Sequence, residues 1–146
     1  MKIQIKKVLI KENAQILYEL DNRVDNKSCY LPARSVNEQE QYLQSSDVLI
    51  AFAESKPIGF IASKPVEKYV ELQSIVVVPQ FQGKGVGKEL LSKLIETVDG
   101  KEIRLVTHPH NTGAIIFYLK SGFRIVGWGD NYYGDGEPRL KLARKL

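Results

Sequence analysis

The chain has 146 residues, 43% hydrophobic and 26% charged, which suits one compact domain over residues 1–146 with a core of its own. Its formal charge is +4, but 21 basic residues are dispersed among 17 acidic ones; no basic cluster interleaved with aromatics marks a nucleic-acid surface, and an anionic small molecule explains the excess as well. No apolar stretch reaches the length of a membrane span or a secretory leader, and Cys29 is the only cysteine, which rules out an internal disulfide and a site of paired thiolates. The expectation is a soluble cytoplasmic protein with no membrane association and no metal, Cys29 being an ordinary thiol.

In chain order, the alternation of "KIQIKKVLI" predicts a first strand, and the spacing of Ala14, Ile16, Leu17 and Leu20 a helix after it. A second short helix is predicted in "SVNEQEQYLQSS", with Ser35 as N-cap and Glu38 completing a capping box. "VLIAFAE" and "IGFIAS" read as strands joined by a turn at "SKP", and a third member of the same meander runs from about Tyr69 to Val78. The pattern then changes. A glycine run leads into a helix whose Leu90, Leu91, Leu94, Ile95 and Val98 share one face and which ends at Asp99–Gly100. "EIRLVT" returns as a strand, giving one parallel βαβ unit in an otherwise antiparallel sheet. A last helix over about Asn111 to Ser121 and a closing pair, "FRIVGWG" and "PRLKLAR", complete an α+β (mixed α/β) fold.

The run Gly83, Gly85, Gly87 leaves backbone N–H groups unshielded just where a helix begins, and the helix adds its own unpaired N–H groups and the positive end of its dipole. That arrangement suits a phosphate, although one of the glycines could merely cap a loop and another admit close helix packing. A Walker A loop needs four residues between its glycines and then Lys-Ser or Lys-Thr, whereas Gly83 and Gly87 enclose three and Lys88 precedes Glu89. A dinucleotide fingerprint needs G-x-G-x-x-G at a first βα turn, and this run is G-x-G-x-G beyond mid-chain.

Gln82-x-x-Gly85-x-Gly87 after "VVP" and before an amphipathic helix resembles the acetyl-CoA pyrophosphate loop of the GNAT superfamily of N-acetyltransferases. "NTGAIIFYLKSGF" continues the resemblance, with Asn111, Ala114, Tyr118, Gly122 and Phe123 at the spacing of the second cofactor motif. The resemblance implies a mostly antiparallel mixed sheet of six or seven strands with about four helices, and acetyl-CoA as acyl donor. It implies that Ile75, Val76 and Val77 meet the pantetheine arm through their main chain, that Gly83, Lys84, Gly85, Val86, Gly87 and Lys88 hold the pyrophosphate, and that Gln82 and Asn111 also bind the cofactor.

Asn111 and Tyr118 are seven residues apart, so they share a helix face about 10 Å long, and Tyr118 is the candidate general acid for the departing thiolate. Glu71 stands eleven residues before Gln82, where the histone-acetyltransferase branch carries its catalytic glutamate; a water chain is the alternative base. In the ribosomal-protein acetyltransferase branch the base lies five residues before the asparagine, and here that residue is Val106, a departure from that pattern. His108 and His110 read as structural or solvated rather than as a relay. Attack by a primary amine, of a small molecule or a peptide, within a ternary complex is the expected chemistry, and a catalytically silent CoA-binding module is the alternative. For the acceptor, Tyr132, Tyr133, Asp135 and Glu137 of the last hairpin could receive a cationic amine, with Tyr30 and Arg34 as weaker candidates; oligomeric state is left open, a homodimer included.

Overall fold

A computed structural model describes residues 2–24 and 34–145; Cys29 and Tyr30 lie outside the described residues. The chain runs β1 (Ile3–Val8), α1 (Ile10–Asp21), α2 (Val36–Tyr42), β2 (Asp47–Ala53), β3 (Lys56–Val66), β4 (Tyr69–Val77), α3 (Val86–Thr97), β5 (Glu102–Thr107), α4 (Thr112–Lys120), β6 (Arg124–Gly129) and β7 (Arg139–Arg144), with a 3-10 turn at Pro79–Phe81. One seven-stranded sheet has the order β1-β2-β3-β4-β5-β7-β6, and every neighbouring pair is antiparallel except β4 with β5. The mixed sheet, the four helices and the parallel βαβ unit are those the sequence predicts.

Local chemistry explains the helices. Ser35 Oγ accepts from the Glu38 N–H at 3.1 Å while Glu38 Oε1 accepts from the Ser35 N–H at 2.9 Å, the reciprocal box that starts α2. Helix α3 buries Val86, Leu90, Leu91 and Leu94 along one stripe, and Asp99 and Gly100, both at positive φ, turn the chain out of it. Burial is continuous from Ile58 to Ser63 in β3, so both faces of the central strand are covered. Helix α1 packs with α2 and against β3 and β4, and α3 packs against β2, β3 and β4. Among the described residues no helix is long and apolar enough to cross a membrane.

The β2–β3 turn differs from the expected "SKP". Ala53 pairs directly with Lys56, so only Glu54 and Ser55 remain to reverse the chain, and both take positive φ, 50° and 68°, as a tight hairpin turn requires. Lys56 and Pro57 already belong to β3, which also runs on to Val66 by pairing with the start of β4.

One irregularity places the site. Opposite β3 the register jumps, with Ser63 facing Leu72 and Ala62 facing Ser74, so Gln73 is an unpaired bulge residue in β4. Parallel pairing of β4 with β5 ends just before it, at Glu71 with Arg104. A bulge bends its strand and steepens the twist; beyond Gln73, β4 stays with β3 while Leu105 to Thr107 of β5 pair only with β7. The two parallel strands therefore fork.

Candidate active site

The fork opens into a cavity of about 730 Å³, within the size range of small-molecule and cofactor sites. One wall is β4. The Val78 N–H donates to the Ile58 carbonyl at 2.9 Å, and the register continues through Val76 with Phe60 and Ile75 with Ile61. By the alternation of an antiparallel ladder, the main chain of Val78 and Val76 serves β3, whereas Ile75 and Val77 turn their peptide groups toward the gap. Of the three residues expected to line it with main chain, Ile75 and Val77 face it; Val76 supplies a buried core side chain and a ladder bond to β3.

At the open end lies the glycine loop. Gly83 and Gly85 have φ of 75° and 84°, and Gly85 is the N-cap of α3. With glycine at the cap no side chain closes over the first-turn N–H groups of Val86, Gly87 and Lys88. Gly87 lies under the Phe117 ring, where a Cβ would come within 3.5 Å. Lys84 and Lys88 are exposed beside this cradle. Gln82 lines the cavity, but its side chain is committed: Nε2 donates to the Val77 carbonyl at 2.9 Å and pins the loop to the end of β4. Arg23, in the turn after α1, donates to Gln80 Oε1 at 2.5 Å.

Helix α4 forms the floor with Asn111, Ala114, Phe117 and Tyr118. Asn111 is its N-cap residue but does not cap with its side chain; Nδ2 donates to Thr107 Oγ1 at 3.2 Å, which leaves the oxygen of the amide as an acceptor beside the gap. Tyr118 is buried between Phe117 and Phe123, with ring centroids 5.5 and 5.4 Å away. Loss of hydration raises its pKa well above the ordinary phenol value, so it is a protonated donor at any physiological pH.

Past the fork lies a mouth of different chemistry. Glu71 is exposed at the last parallel pair. Tyr42, at the end of α2, and Tyr133, in the β6–β7 loop, are near enough to feel its charge; both phenols are raised, first by desolvation, with Glu71 adding to it. The Arg34 guanidinium lies 3.7 Å from the Tyr42 ring centroid and Arg139 lies 5.1 Å from that of Tyr133. Asp135 and Glu137 are engaged within the protein. Arg139 donates to Asp135 at 2.7 Å and depresses its pKa. Glu137 lies 2.8 Å from Nε2 of His108, which is 2% exposed and accepts the His110 N–H on Nδ1. His108 is thus held by Glu137 and by the His110 N–H, and Asp135 and Glu137 both make bonds within the protein.

A forked parallel pair with outward-facing peptide groups, over a helix N-terminus stripped of side chains, is built for an extended chain ending in phosphates. The sequence profile of the Acetyltransferase (GNAT) family matches residues 14–123. The chain belongs to this family. It is 33% identical to the spermidine N(1)-acetyltransferase of Thermoplasma acidophilum over 101 residues, 66% of this chain and 63% of that protein. It is 31% identical to the N-alpha-acetyltransferase RimI of Mycobacterium tuberculosis over 90 residues, 62% of this chain and 54% of that one. The match therefore spans less than two thirds of the length of either relative. Among solved structures, the PaiA N-acetyltransferase of Thermoplasma acidophilum in complex with coenzyme A superposes with a TM-score of 0.78 at 28% identity, covering 100% of both chains.

Within this GNAT fold the sequence-predicted residues fall in two groups. Ile75, Val76, Val77, Gln82, Gly83, Gly85, Val86, Gly87, Lys88, Asn111 and Tyr118 all line the one cavity; Lys84 stands in the same loop, its ammonium 5.4 Å from the centroid of the Phe81 ring. Glu71 sits outside the cavity, at the mouth. Asp21, Gln73, Thr107 and Phe117 line the cavity without having been singled out from the sequence. Phe117 had a readable signal, since it lies one turn from Gly113 and Ala114 on the motif helix. Gln73 had none, because a bulge is a property of pairing.

Proposed function

We propose that this chain, acting as one GNAT domain in the cytoplasm, is an acetyl-CoA-dependent N-acetyltransferase that acetylates a primary amine by direct attack in a ternary complex. The observation that carries the reading is the fork: peptide groups of Ile75 and Val77 turned to the gap rather than paired with β5, the Val77 carbonyl held by Gln82, the N-terminus of α3 with its glycine cap at one end, and the Tyr118 phenol lining the same cavity. The pantetheine arm of acetyl-CoA occupies the gap as an extra strand would, its amide N–H groups meeting carbonyls such as the Asn111 side chain, and its pyrophosphate meeting the N–H groups from Gly83 to Lys88. A gap-facing β4 N–H donates to the thioester oxygen, where negative charge develops on attack.

The acceptor enters from the mouth as a free amine. As its nitrogen bonds to the thioester carbon, an N–H proton passes to Glu71, directly or through water, and the C–S bond breaks. The sulfur leaves as thiolate beside Tyr118, which donates a hydrogen bond and then the proton that completes CoA thiol; solvent returns a proton to the phenol. Because burial makes Tyr118 a weak acid, hydrogen-bond donation is its larger contribution and full transfer follows bond cleavage. Release of thiol from acetyl-CoA in the presence of a panel of amines, amino acids and peptides tests the reading. Tight CoA binding with no thiol released by any of them would overturn it.

A further inference from the structure

We infer that Thr107 is a positioning residue for the cofactor: its hydroxyl holds the Asn111 side chain at the cavity wall and away from the end of α4. This rests on the acetyl-CoA reading above and adds to it a residue that acts on the ligand only through another. Asparagine at the N-cap of a helix favours turning its side-chain oxygen back to a first-turn N–H. Asn111 does not. Its φ of −80° and ψ of 62° are not the extended backbone of such a cap, and it makes no side-chain capping bond. Nδ2 donates instead to Thr107 Oγ1, 3.2 Å away and four residues earlier, at the last position of β5.

The sheet puts the hydroxyl there. Thr107 is the last residue of β5 to pair with β7, opposite Leu140, and β4 has already left on its other side. It therefore borders the fork, is 8% exposed, and lines the cavity together with Asn111. A hydroxyl this buried needs a partner, and the Asn111 amide is the one its side chain has among the described residues. The amide gains in turn. Ordering a side chain is a cost of binding, and a side chain ordered in advance by a neighbour spares the ligand roughly two- to tenfold in affinity. The same bond withholds the amide from the cap, so the first turn of α4 forgoes a stabilising partner while the amide stays beside the gap. Binding and helix stability are thus set against each other at Thr107.

Calorimetric titration with coenzyme A, beside thermal melts of the ligand-free protein, tests this. Thr107→Val, similar in shape but without the hydroxyl, should weaken coenzyme A binding about fivefold. Its ligand-free Tm should fall by less than about 2 °C, because the freed amide has water or the cap to bond. Thr107→Ser keeps the hydroxyl and should bind within about twofold of wild type. Asn111→Ala should lose about tenfold, and Thr107→Val added to it should cost nothing more, because the effect runs through the amide. Undiminished affinity in Thr107→Val overturns the inference. So does a loss that persists in the Asn111→Ala background, which would make Thr107 a direct ligand contact, or a Thr107→Ser as weak as Thr107→Val, which would assign the loss to packing. If Thr107→Val does not fold, hydrogen exchange of the wild type decides: before ligand is added one Asn111 side-chain proton should exchange more slowly than the other, and equal exchange overturns the inference. Each of these failures leaves the acetyl-CoA reading intact. A wild type that binds no coenzyme A overturns that reading and this inference with it.

Discussion

Gly85 and Gly87 are two residues apart in one loop, yet alanine at each should move stability in opposite directions. Gly85 has φ of 84° with open space around a would-be Cβ, so the cost of Gly85→Ala is entirely backbone, about 1–2 kcal/mol for a left-handed L-residue. Gly87 is already in α3, and its Cβ would meet the Phe117 ring at 3.5 Å and Val77 Cγ2 at 3.8 Å, ordinary contact distances. Gly87→Ala should therefore gain about 0.5–1 kcal/mol from the lost flexibility of glycine in a helix. The variants should differ by about 2 kcal/mol, or roughly 4–8 °C in Tm for a chain of this size. Coenzyme A adds a second axis. At about 100 times its Kd it should stabilise the wild type by about 2.7 kcal/mol, and Gly87→Leu, whose side chain enters the space between α3 and Phe117, should lose that shift while still folding. Thermal melts with and without coenzyme A measure both. A Gly85→Ala protein as stable as wild type would refute the left-handed cap, and an undiminished coenzyme A shift in Gly87→Leu would refute the placement of the ligand.

Tyr118→Phe keeps the ring between Phe117 and Phe123 and removes the donor; kcat should fall about 10²-fold, or roughly 2.7 kcal/mol in the barrier, with little change in coenzyme A affinity, and full activity would end its assignment as acid. The same phenol should shape alkaline stability: its folded pKa is raised by burial, so above about pH 10 the unfolded chain releases a proton that the native state retains, and stability falls as pH rises. Urea titrations from about pH 9 to about pH 11 should show a shallower decline in Tyr118→Phe, and identical slopes would contradict the burial. Glu71→Gln should slow turnover at neutral pH and less so at high pH, where the amine is already deprotonated, without affecting coenzyme A binding; an unchanged pH–rate profile would leave water as the base.

The parallel unit at the centre of the fold was legible because its signals are local. A β-branched run, a glycine loop and a helix with one apolar stripe each depend on neighbours within a few residues. The β2–β3 turn was misplaced for the opposite reason. "SKP" has turn composition, but the register of β2 on β3 leaves two residues, Glu54 and Ser55, for the reversal, and sequence composition does not encode register. The Gln73 bulge has the same origin, and with it the fork that makes room for a ligand.

Spacing in the sequence singled out Asn111 and Tyr118, which line one cavity, because a helix converts spacing into a shared face. It could not say what each side chain has left after the protein's own bonds are made. Asp135 and Glu137 look like receptors for an amine until Arg139 and His108 are seen to hold them, the latter across 29 residues of sequence. Gln82 reads from the sequence as a cofactor-loop residue, and its amide is spent on the Val77 carbonyl. Gln73 looks like an ordinary polar strand residue until Ser46, 27 residues earlier, takes one end of its amide. What remains after those bonds is what a ligand can meet, and spacing in the sequence does not report it.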